Sequence, residues 1–300
     1  MTEDFNPWHV PHKKTTQRLW HYTDASGLLG MLSTDTLWCS AATHLNDPGE
    51  VDFGFTTFLA ALEAEIRRQR RSAGFRKELL GLIAAERPDD VFIVSASMDG
   101  DSLSQWKQYA GTTPYAVAFD GDWPLAILGT PSRVQGDWTY PALRWREVQY
   151  GLDGEPYRDY VRGYVRDAAR FGERRVRLTT SLPRDYVTWN FALLTKASGF
   201  SAEREARIAT ALPPEVEALD FRTGRFGITP MIRLTGSGHG PEGNFNRELV
   251  RETPLPLPIR EVRVGPSPTA ALLEAGAKSA LRHYGYQDVP VTHSGHSPLR

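Results

Sequence analysis

One cysteine, Cys39, stands in 300 residues, so no disulfide can close within the chain. Excess charge is equally scarce. The 35 Lys and Arg face 36 Asp and Glu, a formal net charge of −1, which leaves no overall field to gather nucleic acid or an anionic membrane. No apolar run is long enough to span a bilayer. Residues 1–17 are polar and carry Asp, Pro and His where a signal peptide would have its apolar stretch, so a cytoplasmic protein with a short N-terminal tail is expected. Neither a Gly-x-Ser-x-Gly elbow nor a P-loop lysine motif occurs, which removes the common serine hydrolases and P-loop NTPases.

What remains is an ordinary globular composition, 40% hydrophobic and 24% charged, with strand and helix patterns mixed along the chain. Residues 18–22 read as a strand. Thr23 or Asp24 can cap a helix whose apolar positions are Leu28, Leu29, Met31 and Leu32. A short strand at 37–41 leads into a turn at 44–50, where Asp47 can cap and Pro48 suits the first helical position. Residues 51–87 read as helical with a break near 72–74, and 91–97 as a buried β-branched strand. Then come a helix at 103–109 and strands at 115–119 and 143–150. Helical spacing returns at 157–171 and 186–198, and 204–211 reads as a strand. Residues 212–226 read as a loop, 228–234 as a strand, and 235–258 as a Gly- and Pro-rich connection. Strand 259–264, helix 266–284 and strand 289–292 close the chain. Without regular βα alternation, the pattern predicts one α+β domain over residues 18–300, with helical elaborations at about 51–87 and 156–198.

Several polar groups sit where chemistry could use them. His21 and Thr23 alternate, which puts both on one face of a strand. Glu203, Glu205 and Arg207 alternate too. If extended they share a face, and Arg207 can hold one carboxylate ionised while the other stays free. Ser95 and Ser97 share a strand face, suited to a phosphate or ribose or to neighbouring backbone groups. Trp106 and Tyr109 lie on one helical face, as a stacking wall or as core. Asn46 and Asp47 fit a turn and helix cap as readily as a binding role. His44, Asp47 and Glu50 fall short of a metal-ligand set, so no metal is expected. Cys39, among apolar neighbours, reads as a buried thiol.

The order of these motifs resembles the bacterial family catalogued as domain of unknown function 2971. The matching segments are Leu19-Trp20-His21-Tyr22-Thr23, Asn46-Asp47-Pro48-Gly49-Glu50, Ser95-Ala96-Ser97, Trp106-Lys107-Gln108-Tyr109 and Val117-Ala118-Phe119-Asp120. Lys196 with Phe200, Glu203, Glu205 and Arg207, the Val264-Gly265-Pro266 junction and the terminal Ser297-Pro298-Leu299-Arg300 extend it over most of the chain. Phe200 stands where the pattern usually has Trp, and Ala206 where it often has an aromatic ring.

That family in turn looks distantly similar to ADP-ribosyltransferase-like proteins, a resemblance also carried by Gly27-Leu28-Leu29-Gly30-Met31-Leu32 and Thr36-Leu37 after His21-x-Thr23. It implies a split or curved mixed sheet and NAD as substrate. His21, Tyr22, Thr23, Ser95, Ser97, Trp106 and Tyr109 would then bind the dinucleotide. Glu205 would stabilise the ribosyl cation with Glu203 as its helper, and Asn46, Asp47 and Arg207 would support them. The acceptor would be a protein, a nucleic acid or a small molecule, in a toxin or phage-defence setting. A non-catalytic module binding a nucleotide or nucleic-acid end, and a hydrolase that does not use NAD, are the alternatives.

Overall fold

Asp24 ends the first strand and starts the first helix. In the computed structural model its carboxylate accepts from the Gly27 amide at 2.9 Å, an N-cap, so β1 (Arg18–Thr23) runs straight into α1 (Ala25–Thr34). The structure describes residues 17–44, 49–85, 91–131, 143–151, 155–181, 193–211, 216–224, 227–238 and 250–297. After α1 come β2 (Leu37–Ala41), α2 (Gly49–Arg68), α3 (Ala73–Ala85), β3 (Val91–Ser97), α4 (Leu103–Tyr109), β4 (Tyr115–Asp120) and β5 (Leu125–Leu128). Three two-residue strands follow, β6 (Thr130–Pro131), β7 (Arg146–Glu147) and β8 (Gln149–Tyr150), before the long α5 (Glu155–Ser181). The second half holds β9 (Thr195–Lys196), β10 (Glu205–Ala211), β11 (Val216–Glu217), β12 (Asp220–Gly224), β13 (Gly227–Gly236), β14 (Val250–Arg251), β15 (Ile259–Val264), α6 (Ala270–His283) and β16 (Val291–His293).

Twelve of the described strands join one mixed sheet. Its pivot is β3. One edge of β3 pairs along its whole length with β10, from Glu205↔Ser97 to Ala211↔Val91. The other edge is shared. β2 takes Phe92 and Ile93, and β1 takes Ser97. Residues 94–96 on that edge pair with neither. β1 is committed to β4 by a continuous ladder from Arg18↔Asp120 to Thr23↔Tyr115, and β2 to β13 from Met231↔Ser40 to Leu234↔Leu37. Strand twist carries those two ladders apart, and the sheet splits where they diverge.

Directly paired residues share a face, which sorts the side chains. Leu19, Cys39, Phe92, Val94, Ala96, Val117, Ala206 and Ile208 line one face and form the main core with Leu28, Met31 and Leu32 of α1 and Ala277 and Leu281 of α6. The opposite face has two separate covers. Trp20, Tyr22, Ala116 and Ala118 pack under Trp106 of α4. Val91 and Ile93 pack with Val51 of α2 and with Leu193. Helices α2, α3 and α5 form their own apolar cluster around Phe58, Leu62, Ile66 and Val165. The result is an α+β fold with a mixed sheet and flanking helices, as the sequence predicts.

Local detail departs from that expectation in several places. Thr195–Lys196 is a strand paired in parallel with Gln149–Tyr150, not the end of a helix from residue 186; the rest of that expected helix lies mostly outside the described residues. Asp220–Gly224, expected as loop, forms a hairpin with Gly227–Thr229 and its neighbours, because a partner strand satisfies its backbone whatever its own propensity. Leu125–Leu128 is a further strand, on the edge of β13. The strand expected from residue 204 begins at Glu205. Arg204 is left-handed at φ 47° and closes a 3-10 turn, Ser198–Glu203. No described helix is long and apolar enough to cross a membrane.

Candidate functional site at the split in the sheet

Between the two covers on the outer face runs a polar strip. Ser95 and Ser97 of β3 lie on it beside Arg207 and Glu205 of β10, their direct partners. Five ionic groups collect there: Glu50 at the start of α2, Lys196 on β9, Glu203 at the end of the 3-10 turn, and Glu205 and Arg207. Arg207 Nε donates to Glu205 Oε1 at 2.6 Å and its Nη2 to Oε2 at 3.0 Å. The same Nη2 bonds Glu50, and Nη1 bonds the Leu193 carbonyl at 3.0 Å. Lys196 Nζ lies 2.6 Å from Glu203, 2.8 Å from Glu50 and 3.3 Å from Glu205. Glu205, Arg207 and Lys196 are all buried.

Burial alone would push the Glu205 carboxyl up, but Arg207, Lys196 and a hydrogen bond from the Ser95 side chain outweigh it and hold it below its ordinary value. Lys196 and Arg207 are raised against the opposing effect of their burial by the carboxylates around them. Glu205, Lys196 and Arg207 are therefore each held in the charged form by the others. Three carboxylates face two cations, leaving one net negative charge. Tyr150 Oη accepts from the Glu205 amide at 2.8 Å. Its hydroxyl is pushed up to about 12 by burial, with the neighbouring glutamates adding to the effect.

His21 reaches the strip from the other side. Strand alternation points it away from Trp20 and Ser97, but at the divergence its ring enters the gap, and Nδ1 lies 2.9 Å from the Ser95 carbonyl. A carbonyl can only accept, so Nδ1 carries the proton and the neutral ring leaves Nε2 as an acceptor. Burial lowers the imidazole pKa, and the charge of Arg222 lowers it further, against the Ser95 bond. β3 thus stands between the two groups, holding His21 at one edge through the Ser95 carbonyl and carrying Glu205 and Arg207 as the partners of Ser97 and Ser95 at the other.

The remaining expected residues divide. Tyr22 is a latch. Its hydroxyl donates to the Asp99 carbonyl at 2.7 Å and accepts from the Ser102 amide at 2.9 Å. Trp106 lies in the core, one of the two readings its helical spacing allowed. It is buried, its ring meets Tyr22 edge-on at 4.6 Å, and its Nε1 donates to Asp101 at 2.8 Å. The apolar cover of β1 and β4 needs its bulk. Ser97 is also structural: its hydroxyl donates to the Glu203 carbonyl at 2.8 Å and accepts from Asp99 N. Thr23 Oγ1 sits against Gly27, where a Cβ would lie 2.0 Å from it. Tyr109 is 39% exposed, and its hydroxyl accepts from Gln108 Nε2 at 3.0 Å. Asn46 and Asp47 lie outside the described residues. Glu203 is not on the strand as alternation predicted, because the turn at Arg204 intervenes, yet it meets the cluster through Lys196.

No protein-family model, curated protein or solved structure matches the chain. The chemistry of the site therefore has to carry any assignment. Sequence reasoning gave no role to Glu50 and Lys196, though both lie in motifs it singled out. The signal for Lys196 was a lysine ending the apolar run Leu193-Leu194-Thr195. For Glu50 the signal was its place at the end of Asn46-Asp47-Pro48-Gly49-Glu50, though an acid in the first turn of a helix is common.

Proposed function

We propose that the protein cleaves the N-glycosidic bond of NAD at the split in the sheet and passes ADP-ribose to an acceptor or to water. The observation that supports this most is the arrangement about β3, with a neutral histidine acceptor held at one edge by the Ser95 carbonyl and the buried Glu205, Arg207 and Lys196 group at the other. As nicotinamide leaves, the ribose gains oxocarbenium character. A preorganised site with net negative charge favours that charge as it develops. His21 Nε2 accepts from a ribose hydroxyl.

The two glutamates exchange the roles expected of them. Two bonds from Arg207 and one from Lys196 engage both oxygens of Glu205. A carboxylate has about four acceptor positions, so Glu205 acts as a fixed charge that positions its neighbours. Glu203 has the more exposed side chain, 18% against 8%, and its bond to Lys196 engages one oxygen. Glu203 is the carboxylate with room to meet the ribose. The mixed sheet with its split fits an ADP-ribosyltransferase-like fold.

The test is nicotinamide release from NAD by the purified protein, alone and with protein, nucleic acid or lysate as acceptor. The expected result is release that falls by at least about 100-fold in Glu203→Gln while the melting temperature stays near that of the parent. No release in any mixture, with no NAD binding by calorimetry, removes the proposal.

A further inference from the structure

Arg222 on β12 has an unusual environment. It is half-buried, and its Nε is fully buried without a hydrogen-bond partner. Its Nη2 donates to Ser40 Oγ at 3.1 Å and its Nη1 makes a long contact of 3.5 Å to the Thr223 carbonyl. The guanidinium stands 5.9 Å from the ring centre of Trp38, a residue left 38% exposed. No described carboxylate pairs with it. Several other arginines of the sheet are paired with acids: Arg207 with two glutamates, Arg233 with Asp220, Arg263 with Glu261 and Arg260 with Asp120. Burial lowers the Arg222 pKa and nothing offsets it. A desolvated cation with an unused N–H is costly unless something anionic completes it.

Its position gives that anion a place. Ser40 pairs with Ile93 of β3, two residues before Ser95 and on the same face. Arg222 therefore flanks the gap on the β2 side, while His21 flanks it on the β1 side, near enough for the two to interact electrostatically.

We propose that Arg222, with Ser40 and the exposed ring of Trp38, is an anion subsite that takes the pyrophosphate of a nucleotide bound across the split. The identity of that nucleotide rests on the NAD reading; the anion subsite does not. A guanidinium fork suits two phosphate oxygens at once. Among the described residues it has a serine hydroxyl and a carbonyl to bond. Ser40 Oγ can donate to the same phosphate while still accepting from Arg222. Trp38 supplies an apolar wall on which a ring of the ligand can lie. His21, an acceptor at Nε2, would repel a phosphate, so hydroxyls belong on its side of the gap and phosphates on the Arg222 side.

The experiment measures binding of inorganic pyrophosphate, ADP-ribose, NAD and the phosphate-free nicotinamide riboside to the parent protein, Arg222→Gln and Arg222→Lys, by calorimetry and by the rise in melting temperature on addition. Pyrophosphate and ADP-ribose are expected to bind the parent and to bind Arg222→Gln about 30-fold more weakly, the loss of a charge-assisted hydrogen-bond pair. Arg222→Lys should fall between, because it keeps the charge and loses the fork. Without ligand, Arg222→Gln should melt no lower than the parent, since it removes an unpaired buried charge; a lower melting temperature would mark a structural arginine and overturn the proposal. So would pyrophosphate that fails to bind the parent, or that binds parent and Arg222→Gln alike. If pyrophosphate binds through Arg222 but NAD is neither bound nor cleaved, the subsite stands and the NAD reading falls. If NAD is cleaved and Arg222→Gln alters neither its KM nor pyrophosphate binding, the subsite falls and the NAD reading stands.

Discussion

Removing Arg207 should cost far more than removing the charge of Glu205, although the two are partners. Arg207 is buried and holds Glu205 by two bonds, Glu50 by one and the Leu193 carbonyl by one. Arg207→Leu leaves three carboxylates around Lys196 alone, a net charge of two negatives in a buried site. Stranding buried charge in this way costs about 3–5 kcal/mol. Glu205→Gln instead balances the cluster, two carboxylates against two cations, and its amide oxygen can still accept from Arg207. The expected cost is about 1–2 kcal/mol, the loss of charge from a set of hydrogen bonds. The double variant should cost less than the two added together, by about 1–2 kcal/mol, because the second change removes a carboxylate the first had stranded. Urea denaturation at pH 7, compared at constant slope, reads all three. The pH dependence is a second readout. The Glu205 carboxyl lies below its unfolded value, so its contribution is present above roughly pH 4–5 and is lost as pH falls through the lowered folded value. Glu205→Gln should flatten that acid limb. Equal costs for the two single variants, or strict additivity, would refute the idea that excess negative charge governs this site.

Three other outcomes follow from local geometry. His21 binds through a neutral ring whose pKa is already lowered, so ligand affinity should stay level from pH 8 to pH 6.5 and decline only below that, as titration followed by calorimetry would show; a decline centred above pH 7 would contradict the assigned tautomer. Gly265→Ala should lower stability by about 1–3 kcal/mol, because its Cβ would lie 2.6 Å from Pro114 and 2.7 Å from the Trp106 ring. Gly276→Ala, in the middle of α6 with nothing within 4 Å of the added carbon, should raise stability by about 0.5–1 kcal/mol. Thermal melting of the pair reads both signs.

Periodicity and capping are local, and they carried much of the fold into the sequence. The β-branched run of β3, the Asp24 cap, the apolar spacing of α1 and the α+β class were legible because each depends on residues within one or two turns of each other. The alternation of Glu205 and Arg207 also survived, since both do lie on β10. Glu203 did not keep its place, because nothing in residues 203–205 announces that Arg204 turns left-handed. Trp106 was ambiguous for a different reason: helical spacing says that it shares a face with Tyr109, but not whether that face meets solvent or Tyr22.

Only the tertiary structure could decide who meets whom. Glu50 and Arg207 are 157 positions apart, and Arg222 and Ser40 are 182 apart. Their pairing depends on β3 having one full-length partner and two partial ones. The split is likewise invisible in any single strand, because it comes from β1 following β4 and β2 following β13 in diverging directions. The sequence by itself determined which residues could be buried and which could carry charge. The competition among strands for the edges of β3 decided that His21 would sit at one of its edges and Glu205 at the other, and that Arg222 would face the gap with no described carboxylate beside it.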